Sequence, residues 1–172
     1  MLIRREGAAD VDAVADVTTA AFRQDGAGEP VETRLLEALR SDDAWVPEPS
    51  LVALADDGQV IGHVVCTRAR SGSADALGLG PISVRPERQG EGVGSALMHA
   101  VLGAAEAMGE PAVVLIGEPG YYSRFGFVPA ADHGITPPVP DWAPHFQVRR
   151  LAAWSPSLQG EFRYAEPFSR VS

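Results

Sequence analysis

The stretch that most restricts the fold runs from Leu77 to Ile116. Leu77–Val84 is an apolar run containing Gly78, Gly80 and Pro81. It reads as a strand that is bulged or parted from a neighbour near the proline, which has no N–H to donate. The turn Gln89-Gly90-Glu91-Gly92-Val93-Gly94-Ser95 follows, then a helical pattern from Val93 to about Met108 with Leu97, Val101, Ala104 and Ala105 on one stripe. Pro111 closes that region, and Ala112–Ile116 is a short continuous apolar run, as expected of a strand covered on both faces. Strand, glycine turn, helix, strand is a crossover, which makes its two strands parallel or nearly so. A chain containing it is a layered α/β protein.

The remaining patterns extend that sheet. Leu2–Arg5 reads as a short first strand, and Asp10 as the N-cap of a helix with Val11, Val14, Val17 and Ala21 on one face. Pro30 opens a second helix with Val31, Leu35 and Leu39 in a stripe, ending near Ser41. Leu51–Ala55 and Val60–Thr67 form a hairpin about Asp56-Asp57-Gly58, and Ser71-Gly72-Ser73 breaks the chain. Beyond Val128 the sequence is rich in proline, with Phe146–Leu151 and Glu161–Tyr164 as the strand candidates. The expectation is one domain over residues 1–172, a mixed α/β sheet of six or seven strands flanked by helices. A chain of this length can bury roughly two thirds of its unfolded surface.

Composition removes several functions. All 14 basic residues are arginine, so neither a Walker-type phosphate loop nor a lysine Schiff base is available. The 23 acidic residues give a net charge of −9, which disfavours nucleic acid and suits cationic small molecules. Cys66 stands alone beside Val64 and Val65, which reads as a buried inert thiol in a reducing compartment. No apolar stretch approaches the ~18 residues of a membrane span, and no signal-peptide core opens the chain, so the expected location is the cytoplasm. His63, His99, His133 and His145 lack metal-ligand spacing, and no metal is expected.

The glycine turn carries the densest chemical signal. Glycines at 90, 92 and 94 let several N–H groups approach one ligand, and the following helix points its positive end at the same spot, so the turn suits a pyrophosphate. The alternative is a strand-to-helix turn with no ligand. A dinucleotide fingerprint fails, because Ser95 stands where its third glycine is required.

Gln89-x-x-Gly92-x-Gly94 matches the Q/R-x-x-G-x-G/A motif of the GNAT superfamily, the acyl-CoA-dependent N-acyltransferases. Leu79–Pro86 resembles that family's fourth strand, and Gly120-Tyr121-Tyr122-Ser123-Arg124-Phe125-Gly126-Phe127 resembles its closing motif. The resemblance covers residues 1 to about 130 and is closest to bacterial acetyltransferases that also carry Phe-x-Val-Arg-x-Leu, here Phe146–Leu151. It implies a centrally splayed sheet with acetyl-CoA as co-substrate. Residues 1–130 would bind acetyl-CoA, and 131–172 would complete the sheet with strands and proline-rich loops.

The backbone of Ile82, Ser83 and Val84 would bind pantetheine, with an N–H near Ile82 polarising the thioester carbonyl. Gln89, Gly90, Glu91, Gly92, Val93, Gly94 and Ser95 would hold the pyrophosphate. Tyr122 would protonate the departing thiolate, Tyr121 lying one residue early; the alternative is a packing aromatic. Arg124 either faces the CoA phosphates or salt-bridges on the surface. Glu91 departs from the family, many of whose members carry lysine or arginine there. No acid lies on Leu77–Val84 to serve as base; Glu118 and His63 are the remaining candidates and none is assigned. Trp142 and Phe146 either line an acceptor pocket or anchor a loop.

The implied activity is N-acetylation of a primary amine on a small molecule, peptide or protein. A non-catalytic acetyl-CoA-binding sensor is the alternative. An exposed tail strand at Phe146–Leu151 would support a homodimer.

Overall fold

Apolar alternation builds one half of the sheet from antiparallel neighbours. The structure, a computed structural model, describes residues 1–170, and the last two positions of the 131–172 tail lie outside the described residues. Strand β1 (Leu2–Arg5) pairs with β2 (Trp45–Leu54), which returns through Asp56-Asp57-Gly58 as β3 (Val60–Ser71). A second hairpin, turning at Gly72, leads into β4 (Ala74–Val84). Helices α1 (Val11–Phe22) and α2 (Val31–Arg40) lie in the connection from β1 to β2. The crossover is as the pattern requires: α3 (Val93–Ala107) carries the chain from β4 to β5 (Ala112–Ile116), and these two strands are parallel.

The tail adds α4 (Pro119–Tyr122), β6 (Val128–Pro129), β7 (Ile135–Thr136), β8 (Phe146–Arg150), β9 (Gly160–Arg163) and α5 (Pro167–Arg170). The order across the sheet is β1-β2-β3-β4-β5-β8-β6, with β9 pairing both β3 and β7. Among the described residues nine strands therefore replace the expected six or seven. The surplus is β6 and β7, two residues each and too short to leave a periodic trace.

Two sequence expectations are corrected. Phe146–Leu151 is not an exposed strand: β8 pairs with β5 along its length and with β6 at Val148 and Gln147, and Val148 is fully buried. Its backbone pairs with β5 on one side and at two residues with β6 on the other, so it is not the open edge strand expected. Asp10 starts α1 without capping it through its side chain, because its carboxylate is held by the Gly7 N–H at 2.7 Å and by Arg4.

Packing divides between the two faces. On one, Leu97, Met98 and Val101 of α3 cover Ile61, Val64 and Leu77. On the other, Val14, Val17 and Leu36 cover Val52 and Val65, while Phe146, Phe162 and Ile135 form a tail cluster against Val114. Among the described residues no helix is long and apolar enough to cross a membrane.

Candidate active site

Strands β4 and β5 share ladder partners only at Leu77–Val113 and Gly78–Val114, and then part. The separation coincides with a bulge. Opposite the step from Val64 to Cys66, β4 advances from Leu79 to Ile82, one residue more than β3. Leu77, Leu79, Ile82 and Val84 consequently all pack toward the α3 side, whereas unbroken alternation would have paired Leu79 with Pro81 and Ser83.

A cavity of about 380 Å³ lies at this opening. Its walls include Leu79, Gly80, Pro81 and Ile82 from β4, Leu115 and Ile116 from β5, and Tyr122 from α4. A Cβ at Gly117 would overlap the Tyr122 ring, so the glycine is what admits that ring. Burial, and then the neighbouring Tyr121, raise the Tyr122 phenol above its usual range, so it keeps its proton at neutral pH.

A second cavity, of about 430 Å³, lies at the start of α3. Gln89, Gly90, Gly92, Val93, Gly94 and Ser95 line it together with Val84, Arg88, Tyr121 and Arg124. Gly90 and Gly92 adopt φ of +79° and +86°, and no side chain caps the helix, so its first N–H groups face an anion without competition. Arg124 donates to the Tyr121 carbonyl at 2.9 Å and stacks over that ring at 4.6 Å, which turns it into this cavity instead of a surface ion pair. Arg88, which the motif did not single out, donates to Glu91 at 2.6 Å. This cradle of free N–H groups and two guanidinium groups suits a pyrophosphate.

Two sequence candidates line neither cavity. Ser83 projects to the opposite face, 3.3 Å from the Thr18 hydroxyl and buried, leaving only its backbone on the site's strand. Glu91 stands outside in its pair with Arg88.

The base candidates also lie elsewhere. His63 is fully buried, donating from Nε2 to Glu6 at 3.1 Å. Burial holds it below its ordinary value. Glu118 is exposed and lies 3.8 Å from His145. Trp142 does line the first cavity, while Phe146 is a core anchor beside Phe162. Phe22, Glu32, Tyr164 and Phe168 join the first cavity from distant parts of the chain. The sequence held one sign of this: 32, 35, 36 and 39 are successive positions of one helix face, and the first of them is a glutamate.

A profile of the acetyltransferase (GNAT) domain matches residues 2–130, three quarters of the chain. The protein belongs to the GNAT acetyltransferase family. N-acetyltransferase YhbS of Escherichia coli K12 is 34 % identical to this GNAT protein over 173 residues, covering 99 % of both chains. The crystal structure of YhbS in complex with CoA has a TM-score of 0.87 at 32 % identity, over 99 % of this chain and 93 % of that one. A Brucella melitensis GNAT family acetyltransferase, in complex with acetyl-CoA, has a TM-score of 0.78 at 36 % identity, over 97 % of each chain. The GNAT protein is accordingly an acyltransferase built on the splayed sheet the family resemblance implied.

Proposed function

We propose that the protein transfers the acetyl group of acetyl-CoA to a primary amine by direct attack in a ternary complex. The opening between β4 and β5 carries this reading, since one strand lines an anion cradle at Val84 and an apolar cavity at Leu79–Ile82. The N–H groups of residues 89–95, with Arg88 and Arg124, hold the pyrophosphate. Glu91 contributes its backbone only, and its side chain restrains Arg88 at the cradle's rim. The backbone of residues 82–84 receives the pantetheine arm, and the Ile82 N–H polarises the thioester carbonyl. The acceptor attacks as the neutral amine, and Tyr122 gives its phenolic proton to the departing sulfur, which becomes basic enough to take it only as the C–S bond breaks; the proton that the nitrogen sheds on acylation restores the phenol. Residues 131–170 close the acceptor side of the same domain, and the buried lone Cys66 fits a cytoplasmic setting.

Thermal melting with acetyl-CoA, CoA and ATP tests the cradle. A ligand at ~100 times its dissociation constant adds about 2.7 kcal/mol, enough to raise the midpoint by several degrees. Acetyl-CoA and CoA should do so and ATP should not; no shift at millimolar acetyl-CoA overturns the reading. Tyr122→Phe should lower kcat with little change in the KM for acetyl-CoA, and an unchanged kcat removes Tyr122 from the mechanism. A shift without turnover of any amine would instead assign the sensor role.

A further inference from the structure

Burying part of a carboxylate costs free energy unless a cation or hydrogen-bond donor replaces the lost water. Among the described residues five carboxylates are not exposed: Glu6, Asp10, Glu32, Asp42 and Glu110. Glu6 is bound by Arg40 and His63, Asp10 by Arg4, and Glu110 by both nitrogens of the Arg68 fork at 2.7 and 2.8 Å. Asp42 accepts the Ala44 N–H at 2.9 Å. Glu32 makes no ion pair and no side-chain hydrogen bond among the described residues. It stands in the first turn of α2, on the face that buries Leu35, Leu36 and Leu39, and it borders the cavity containing Tyr122.

The rest of that cavity supplies no second charge. Its side walls are Phe22, Leu35, Trp142, Tyr164 and Phe168, and Glu32 is the one lining residue with a carboxylate or a basic side chain. Tyr164 packs against Gly78 of β4, where a Cβ would come within 2.8 Å of its ring. At about 380 Å³, the space is at the small end for ligand pockets and must also admit the acetyl end of the donor.

We infer that the acceptor is a small lipophilic amine bearing a single positive charge, and that Glu32 selects it by pairing with its ammonium group. This rests on the acetyltransferase reading above. An aromatic or branched apolar body fills the walls, and the ammonium, costly to desolvate alone, meets the one unpaired carboxylate, with the Trp142 face as a second attraction. Polyamines and other polycations would leave further charges against apolar walls with no counter-charge, so the same cavity rejects them.

The test compares 2-phenylethylamine, spermidine and Nα-acetyllysine amide as acceptors for the wild type and Glu32→Gln, at fixed acetyl-CoA. Binding of 2-phenylethylamine to the CoA-loaded protein is measured beside it by calorimetry. The expected result is a kcat/KM for 2-phenylethylamine about tenfold or more above the other two. Glu32→Gln should raise its KM and its dissociation constant by about tenfold while the KM for acetyl-CoA stays unchanged. Preference for spermidine or the lysine amide, or an unaltered dissociation constant in Glu32→Gln, overturns the inference. So does failure of 2-phenylethylamine to bind a protein that still binds CoA. Failure of CoA itself to bind overturns the underlying function instead.

Discussion

Glu6 and His63 make a pH-sensitive contact in the half-sheet built from β1 to β3. Burial alone would raise the Glu6 carboxyl, but hydrogen bonds from His63, Arg40 and Ser50 outweigh it and lower it from 4.5 to about 2. Ionised Glu6 therefore stabilises the fold fully above pH 4.5, and that contribution is lost as the pH falls through about 2. At full size it amounts to about 3 kcal/mol. His63, held below 6.5 chiefly by burial, acts in the same direction, since the unfolded chain takes up a proton there first. The melting midpoint should fall as the pH is lowered from 6.5 past 4.5, and Glu6→Gln should lower it at neutral pH and flatten the dependence. A second prediction concerns Gly117, whose substitution by alanine must displace the Tyr122 ring. Gly117→Ala should cut kcat about tenfold or more while leaving acetyl-CoA binding intact; stopped-flow or steady-state assays with calorimetry separate the two. Tyr122 was legible in the sequence because its motif is contiguous. Glu32 was not, because its meaning depends on Tyr164 and Phe168, more than a hundred positions away.

At the scale of elements, the start of α3 and the bulge in β4 set the site. Gly92 holds a left-handed conformation at φ +86°, which costs a residue with a side chain about 1 kcal/mol or more. Gly92→Ala should lower the melting midpoint by a few degrees and weaken acetyl-CoA binding, both measurable in one thermal series. The crossover from β4 through α3 to β5 was readable from periodicity, turn chemistry and length, all local properties. The direction of the Ser83 side chain was not readable by the same local reasoning. The extra residue at the bulge changes the alternation between Leu79 and Ile82, so its hydroxyl meets Thr18 across the sheet from the donor cavity. A bulge is fixed by what lies on the neighbouring strand, and Pro81 announced only that something irregular happens there.

For the whole molecule, the tail is part of the sheet: β8 covers β5 with Val148 fully buried, and Phe146 and Phe162 pack ring to ring at 5.6 Å. Ending the chain after residue 130 would expose the edge of β5 and remove the cluster around Val114. Such a truncation should lack the cooperative melt of the full chain, a result that circular dichroism would register directly. Short β6 and β7 and the proline turns hid this role, because each is ordered by contact with something far along the chain. The family profile stops at residue 130, before Trp142, Tyr164 and Phe168 supply their walls of the cavity at Tyr122. The glycine cradle at the start of α3 thus draws all its walls from the first length of chain, up to residue 130, whereas the cavity at Tyr122 draws on both, with Phe22, Glu32 and Leu35 from the first and three aromatic residues from the second. On the function proposed above, a change of acceptor can therefore arise in either length of the chain, and a change of donor in the first alone.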